Sequence, residues 1–260
     1  RMKFADLLEK YETLGGQTII KEVGIEDLDN IAQQNELTIV AGGKGEISKT
    51  FARDNKRSVF DKPQRGLGCM FVHGMIRDQV NYGARANLIP GVGEYFSMPV
   101  LSRQGSCDAM LFEAIPGGPM DKFHSKLSPG EHLEIGREIL KQFIPWEAER
   151  CEKVSLIDEQ ATLSGRYAPT IREPIARMPC GKFVLGMADT VVLNDPIAGQ
   201  GSNNAGKCAE IYLKGILEQK DEPFDEKWMN KIFEEFWKES AEPSTMFSNM
   251  LLSAPPPYVI

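Results

Sequence analysis

The spacing of apolar residues in the first 65 positions predicts one helix followed by two strands. A helical stripe spans residues 4–14 and is formed by Phe4, Leu7, Leu8 and Tyr11. Two apolar runs, at 17–23 and 36–43, predict strands, and the second runs into a pair of glycines. This order is typical of an α/β nucleotide-binding layer. The charged, proline-ended stretch 50–65 is predicted to be a linker.

After residue 65 the pattern changes to short apolar runs separated by glycine, proline and polar turns. The runs at 66–76, 94–101 and 107–115 predict an antiparallel sheet. A helix is predicted over 129–143, with Ser128 as its N-cap, proline at the first helical position and glutamate at the third.

The last third of the chain returns to the α/β pattern. The run 181–190 predicts a core strand, and helices are predicted over 202–220 and 224–240. A sheet domain inserted into a nucleotide-binding domain would produce this order. We therefore place the nucleotide-binding parts at 1–65 and 181–260, and a β-rich domain at 66–180.

Composition narrows the class of protein. The net charge of −7 comes without a basic stripe, which argues against nucleic-acid binding. No apolar run approaches the ~18 residues of a membrane span, and no signal peptide is visible. The five cysteines are scattered without a C-x-x-C spacing, so neither a disulfide framework nor a zinc site is expected. These features predict a cytoplasmic protein.

The stretch 188–205, "ADTVVLNDPIAGQGSNNA", concentrates the features of a ligand site. Asp189 follows the predicted core strand, Pro196 stiffens the loop, and Gly199 and Gly201 permit close backbone approach. Ser202 or the residue after it is the expected N-cap of a helix whose N-terminus suits an anion. The stretch predicts a cradle for a flat, polyhydroxylated, partly anionic ligand. A purely structural glycine-rich turn is the alternative.

A dinucleotide fingerprint is a weaker interpretation of the glycines. "GQGSNN" and "GKGEIS" each match the first two glycines of G-x-G-x-x-G but lack the third. The segment after "GKGEIS" is polar and soon reaches Pro63, so it opens no convincing helix. An NAD-linked oxidoreductase therefore ranks last among the hypotheses.

Three segments resemble one family of enzymes. "GMADTVVLNDPIAGQGSNNA" is similar to the second FAD motif of flavoprotein monooxygenases, with Ala188 in place of the usual glycine before the aspartate. With "ELTIVAGGKGEISKTF" and "FDKPQRGLGCMFVHGM", it resembles the oxygenase component of styrene monooxygenases and their indole-oxidising relatives. The similarity runs from Arg1 to "LLSAPPPYVI". It implies a Rossmann-like FAD-binding layer with an inserted, mainly antiparallel β substrate domain and C-terminal helices, as in p-hydroxybenzoate hydroxylase.

The resemblance also implies site residues. The expected FAD contacts are Arg1, Ala41, Gly42, Asp189, Pro196, Gly199, Gln200, Gly201, Ser202 and Asn203. The candidate substrate contacts are Asn194 and an apolar wall of Met70, Val72, Phe96, Met98 and Leu111, for which plain core packing is the alternative. No catalytic triad is expected, because His73, His124 and His132 are predicted to serve surface or packing roles.

The implied reaction is transfer of one oxygen atom from a flavin C4a-hydroperoxide to an aromatic alkene such as styrene or indole, giving an epoxide. The working cofactor would be reduced FAD, supplied by a transient NADH-dependent flavin reductase. O2 and a small aromatic substrate would be the other reactants, and a homodimer is an open expectation. No metal is expected.

The chain departs from the family pattern at its start. The family opens with a G-x-G-x-x-G unit for the FAD pyrophosphate, which this sequence lacks, and Arg1 falls where the family has an arginine near the flavin. We therefore expect an incomplete FAD-binding domain. The alternative hypothesis is a non-catalytic fragment that does not bind FAD by itself.

Overall fold

The computed structural model describes residues 2–77 and 83–253, and it divides the chain into two compact units. The first, here called the sheet unit, comprises residues 1–21 and 65–166. The second, the loop unit, comprises residues 22–64 and 167–260. The observed boundary at 64/65 lies one residue from the predicted one, whereas 1–21 and 167–180 fall in the other unit from the one predicted.

The elements alternate between helices and short strands. The helices are α1 (Met2–Thr13), α2 (Ile25–Gln34), α3 (Pro129–Phe143), α4 (Pro145–Arg150), α5 (Gly201–Gln219), α6 (Glu226–Phe236) and α7 (Glu242–Leu252). The strands are β1 (Ile39–Val40), β2 (Gly66–His73), β3 (Arg85–Ile89), β4 (Gly93–Ser102), β5 (Gly105–Ala114), β6 (Ser155–Leu156), β7 (Thr162–Gly165), β8 (Thr170–Ile171), β9 (Ile175–Arg177), β10 (Phe183–Gly186) and β11 (Val192–Leu193). None of the helices in the described part of the chain is long and apolar enough to cross a membrane.

The sheet unit is built on an antiparallel sheet with the order β3-β4-β5-β2-β6, and β7 also pairs with β2. Side chains alternate across it, so one face carries Met70, Tyr95 and Phe112, all fully buried. This face packs against α3, where Gly136 permits close approach: a Cβ there would lie 3.2 Å from the Met70 methyl. The predicted antiparallel sheet is confirmed.

Helix α3 begins and ends at the predicted residues. The Ser128 hydroxyl accepts the backbone N–H of Glu131, and the Glu131 carboxylate accepts the backbone N–H of Ser128 at 2.7 Å. This reciprocal capping box satisfies two donors that the first turn would otherwise leave open. Pro129 fits the first helical position because that position needs no N–H donor.

The loop unit has a three-stranded sheet, β1-β10-β9, in which β1 and β10 are parallel. Helices α5 and α6 pack on its core with the aromatic side chains of Tyr212, Trp228 and Phe236. Gly215 lets the two helices approach, because a Cβ there would meet the Ile232 side chain at 2.4 Å. The prediction of an α/β layer is confirmed for this unit.

Several local predictions were wrong. The run 17–23 forms no strand, and Ile19 and Ile20 are largely exposed there. Helix α2 lies between the two predicted strands, where no helix was predicted. The stretch 50–65 is no free linker, because Arg57 pairs with Glu234 at 2.7 Å and stacks on Trp237 at 4.5 Å. The charged residues of this stretch suggested a solvated linker, because their tertiary partners cannot be seen in the sequence.

Candidate functional site

The segment between β10 and α5 is irregular and tightly constrained. It makes a turn at 188–190, the two-residue strand β11, and a second turn at Pro196–Ala198. The Asp195 carboxylate accepts the N–H of Ile197 at 3.1 Å and so caps that turn. Gly199 then adopts φ +62°, in the left-handed region that glycine enters without strain. We call residues 194–201 the glycine loop.

Helix α5 begins directly at the end of the glycine loop. Gln200 occupies the N-cap and makes no side-chain cap, and no acidic residue stands in the first turn. The predicted N-cap, Ser202 or Asn203, was therefore placed two or three residues too late. The first-turn N–H groups have no intrahelical partner, so this end of α5 carries a partial positive charge suited to an anion.

The space over both glycines of the loop is open. A Cβ at Gly199 would meet no described atom within 4 Å, and one at Gly201 would meet only the Asp189 Oδ1 atom, at 3.9 Å. A flat ligand can therefore approach the loop backbone closely. The contact also shows that Asp189 and Gly201 are neighbours, as the sequence predicted for a common site.

Asp189 is half-buried, and burial raises the pKa of its carboxyl group above the usual range. The positive charge of Lys44 opposes this rise in pKa. The Lys44 ammonium also lies 4.1 Å from the centre of the Tyr167 ring, in a cation–π contact. Sequence reasoning missed both Lys44 and Tyr167, because the closeness of Lys44 to Asp189 and to Tyr167 arises only on folding.

Ala188 stands in the left-handed region, at φ +53°. This residue stands where the family that the sequence resembles has glycine. Alanine is less stable than glycine in this backbone conformation, because its Cβ crowds the neighbouring carbonyl. Glycine is the residue that this conformation favours.

Ala41 and Gly42 lie at the same sheet edge as Asp189. Val40 pairs with Gly186 in the parallel β1–β10 register, and the Met187 N–H donates to the Val40 carbonyl at 2.9 Å. The carboxyl ends of parallel strands meet at one edge, which is where α/β sheets bind ligands. Both residues are exposed there.

The candidate substrate residues of the sheet unit divide between two faces. Met70 and Val72 are fully buried in the core beneath α3, so the structure assigns them to packing and not to an accessible wall. Phe96, Met98 and Leu111 lie on the opposite face and are only partly buried. We call this half-buried apolar surface, with its neighbour Cys69, the open face of the sheet.

A buried ion pair lies at one end of the open face. The Arg65 guanidinium donates to both carboxylate oxygens of Glu94, at 2.6 and 2.8 Å, and both side chains are more than nine-tenths buried. Fully buried Glu113 stands directly across the β4–β5 pairing from Glu94. Sequence reasoning missed this charged cluster, whose residues are 19 to 48 positions apart in the chain.

The three histidines do not gather at one place. His132 is buried against Phe123, with ring centres 5.5 Å apart, and burial lowers the pKa of its imidazole. His73 is half-buried in β2, and His124 is exposed. In residues 2–77 and 83–253, no three or more His, Cys, Asp or Glu side chains form a metal-binding group. The predicted flavin contact Arg1 lies outside the described residues.

Similarity to solved structures identifies the fold. The chain is similar to the myxobacterial chondrochloren halogenase CndH, a variant of FAD-dependent halogenases, with a TM-score of 0.58 and 12% identity over 83% of this chain and 46% of that one. It is also similar to p-nitrophenol 4-monooxygenase PnpA from Pseudomonas putida, with a TM-score of 0.55 and 14% identity. That match covers 86% of this chain and 52% of PnpA. The fold is that of flavin-dependent monooxygenases and halogenases, as predicted.

Sequence relatives narrow the class further. Residues 43–150 match a family model described as "Styrene monooxygenase A putative substrate binding domain". The chain is 30% identical to styrene monooxygenase StyA of Pseudomonas fluorescens over 217 residues, and equally to that of a Pseudomonas species; each match covers 81% of this chain. The resemblance to styrene monooxygenases is therefore confirmed. The chain spans about half the length of these curated relatives, 52%.

Proposed function

We propose that this chain is part of an FAD-dependent monooxygenase that epoxidises small aromatic alkenes such as styrene or indole. Its glycine loop would bind the flavin, and the open face of its sheet would bind the substrate. The observation that carries the proposal is the joint placement of Asp189, the open glycines and the uncapped start of α5. These groups fit the hydroxyls and the anionic ring of reduced flavin.

The residues of the loop unit would bind and orient the cofactor. Asp189 would accept hydrogen bonds from ribityl hydroxyls, and Ala41 and Gly42 would pass close to the dinucleotide from the adjoining strand end. Pro196, Gly199, Gln200 and Gly201 would line the ring, and the backbone N–H groups of Ser202 and Asn203 would face its N1–C2=O edge. Bound reduced FAD would supply the activation of O2 and the transfer of one oxygen atom.

The open face of the sheet unit would hold the substrate. Phe96, Met98 and Leu111 offer an apolar, partly aromatic surface without a charged group among them, which suits a hydrocarbon ring. Arg65 and Glu94 pair with each other at one end of that face, beside the buried Glu113. Exclusion of water protects an activated oxygen species from wasteful decay. Asn194, buried in the loop unit, is the proposed polar contact of the substrate.

The partners follow from the same proposal. The StyA relatives are oxygenases, and a transient NADH-dependent flavin reductase would supply reduced FAD to this chain as well. O2 and a small aromatic alkene would be the other reactants, in the cytoplasm.

The test is single-turnover oxygenation. The purified chain is mixed anaerobically with one equivalent of reduced FAD, and aerated buffer with styrene is then added. The proposal predicts styrene oxide in near-stoichiometric yield and little H2O2. H2O2 without epoxide, at the rate of free reduced FAD, would contradict it and would favour the alternative of a chain that does not hold FAD by itself.

A further inference from the structure

Helices α6 and α7 are joined by a turn of π-helix, Trp237–Ala241, without a break in the helical path. Pro243 explains the irregularity, because it has no N–H to donate to the carbonyl of Glu239 four residues earlier. A π turn admits one extra residue and shifts the side chains that follow it around the helix axis. Such turns are frequent at functional sites.

The side chains that this turn directs inward are small, and most are hydroxylic. From residue 240 to residue 248, the buried positions are Ser240 and Ala241 at the end of the turn and Thr245 and Ser248 after it, with Ser244 half-buried beside them. Helix α7 packs here against the Pro196–Ala198 turn of the glycine loop. Small side chains allow the helix backbone to lie close to the loop, so hydroxyl groups can reach it.

Two separate sets of hydrogen bonds connect this helix to the site. The Thr245 hydroxyl donates to the Asn194 Oδ1 atom at 3.0 Å, at the start of the glycine loop. The Ser240 hydroxyl donates to the Asn204 Oδ1 atom at 3.1 Å, and the Asn204 amide donates to the Ser244 hydroxyl at 2.7 Å. Asn204 stands in the first turn of α5, so both ends of the loop are held from the same helix.

We propose that Thr245 and Ser240 are positioning residues that hold the glycine loop and the start of α5 in the geometry that binds reduced flavin. This inference rests on the proposed function. None of residues 194–201 lies in a strand, and β11, which precedes the loop, is only two residues long. Side-chain bonds from a packed helix supply the rigidity that a preorganised site requires. Neither residue is proposed to touch the flavin.

The experiment uses two substitutions of Thr245 and a matched control. Thr245→Val keeps the shape and removes the hydroxyl, whereas Thr245→Ser keeps the hydroxyl. Ser248→Ala removes a fully buried hydroxyl from the same face of the same helix, and that hydroxyl has no hydrogen-bond partner in the described residues. The first readout is amide hydrogen exchange of the peptide spanning 196–206 in the flavin-free chain. The second is the ratio of the FAD dissociation constants, oxidised over reduced.

The inference predicts a distinct pattern across the three variants. Thr245→Val speeds loop exchange by about threefold to tenfold and lowers the affinity ratio by a similar factor, because one hydrogen bond of ordinary strength is lost. In Thr245→Ser and Ser248→Ala, the loop exchange rate and the affinity ratio stay within twofold of their values in the unmodified chain. A twofold change corresponds to about 0.4 kcal/mol. Rescue by serine separates a hydroxyl-dependent role from simple packing.

Other outcomes overturn the inference. Equal amide exchange rates of the loop peptide in Thr245→Val and Ser248→Ala would show that the Thr245 hydroxyl does not hold the loop. Faster exchange in Thr245→Val with an unchanged ratio of the two FAD dissociation constants would show that holding the loop does not affect the preference for reduced flavin. If the unmodified chain binds neither form of FAD, the proposed function fails and takes the flavin consequence with it, while the exchange data still decide whether Thr245 holds the loop.

Discussion

The antiparallel sheet and the glycine loop are stabilised by different means. The sheet has long paired strands and a redundant core in which Met70, Tyr95 and Phe112 share contacts with many neighbours. The loop depends on single features, such as the left-handed Gly199 and the Thr245 hydrogen bond to Asn194. Packing therefore determines the shape of the sheet, whereas a few particular atoms determine the shape of the loop.

The largest expected effect comes from the buried ion pair of the sheet unit. Arg65→Met would leave Glu94 as a buried carboxylate without its bidentate partner. Loss of one member of a buried pair destabilises a fold by about 3–5 kcal/mol. We expect a decrease of this size in the free energy of unfolding, measured by urea denaturation.

Lys122→Met is the matched control for that substitution. Its contact with Glu138, at 4.0 Å, joins two side chains that are both substantially exposed. Exposed pairs contribute about 0–1 kcal/mol, so the control should leave stability nearly unchanged. Equal losses in the two variants would contradict the account of a buried, desolvated pair.

A smaller effect of opposite sign is expected in the turn that precedes the glycine loop. Ala188→Gly would relieve the left-handed strain, which costs an alanine about 1–2 kcal/mol, at an entropic cost of about 0.5–1 kcal/mol for glycine. We expect a net stabilisation of about 0.5–1 kcal/mol in urea denaturation. Ala198→Gly, at a position with ordinary negative φ, should lower stability instead. Destabilisation by both substitutions would show that Ala188 is unstrained.

The smallest effect is expected only at acidic pH. Burial lowers the pKa of His132 in the folded state below its usual value of about 6.5. The unfolded chain therefore takes up this proton first, so stability is unaffected above pH 6.5 and falls as the pH drops below it. We expect His132→Leu to lose less stability than the unmodified chain between pH 7 and pH 5. Parallel pH profiles of the two proteins would refute this assignment.

The regular parts of the fold were predictable from local pattern. The alternation in β2, β4 and β5 and the capping signals of α3 identified these elements to within a few residues. The inward and outward faces of the sheet were not predicted, because a period of two does not say which face is covered. Met70 and Phe96 therefore looked equivalent in sequence, although α3 buries only the first.

The site was predictable where its residues adjoin in the chain. The joint placement of Asp189, Gly199 and Gly201 follows from one short segment. Lys44 and Thr245 reach this region from 145 positions before Asp189 and 56 positions after it, and neither carries a local signal of that role. The helix predicted over 224–240 corresponds to α6 and the π turn, and helix α7 after it was not predicted.

The central claim is that the glycine loop and the start of α5 bind flavin preferentially in its reduced, anionic form. The most direct measurement is an anaerobic fluorescence titration of the chain with oxidised and with reduced FAD, repeated with Asp189→Asn. The account predicts a lower dissociation constant for reduced FAD, and about tenfold weaker binding of both forms by the variant, because a charged acceptor of ribityl hydroxyls is lost. Equal affinities for the two forms, or tighter binding of oxidised FAD, would contradict it.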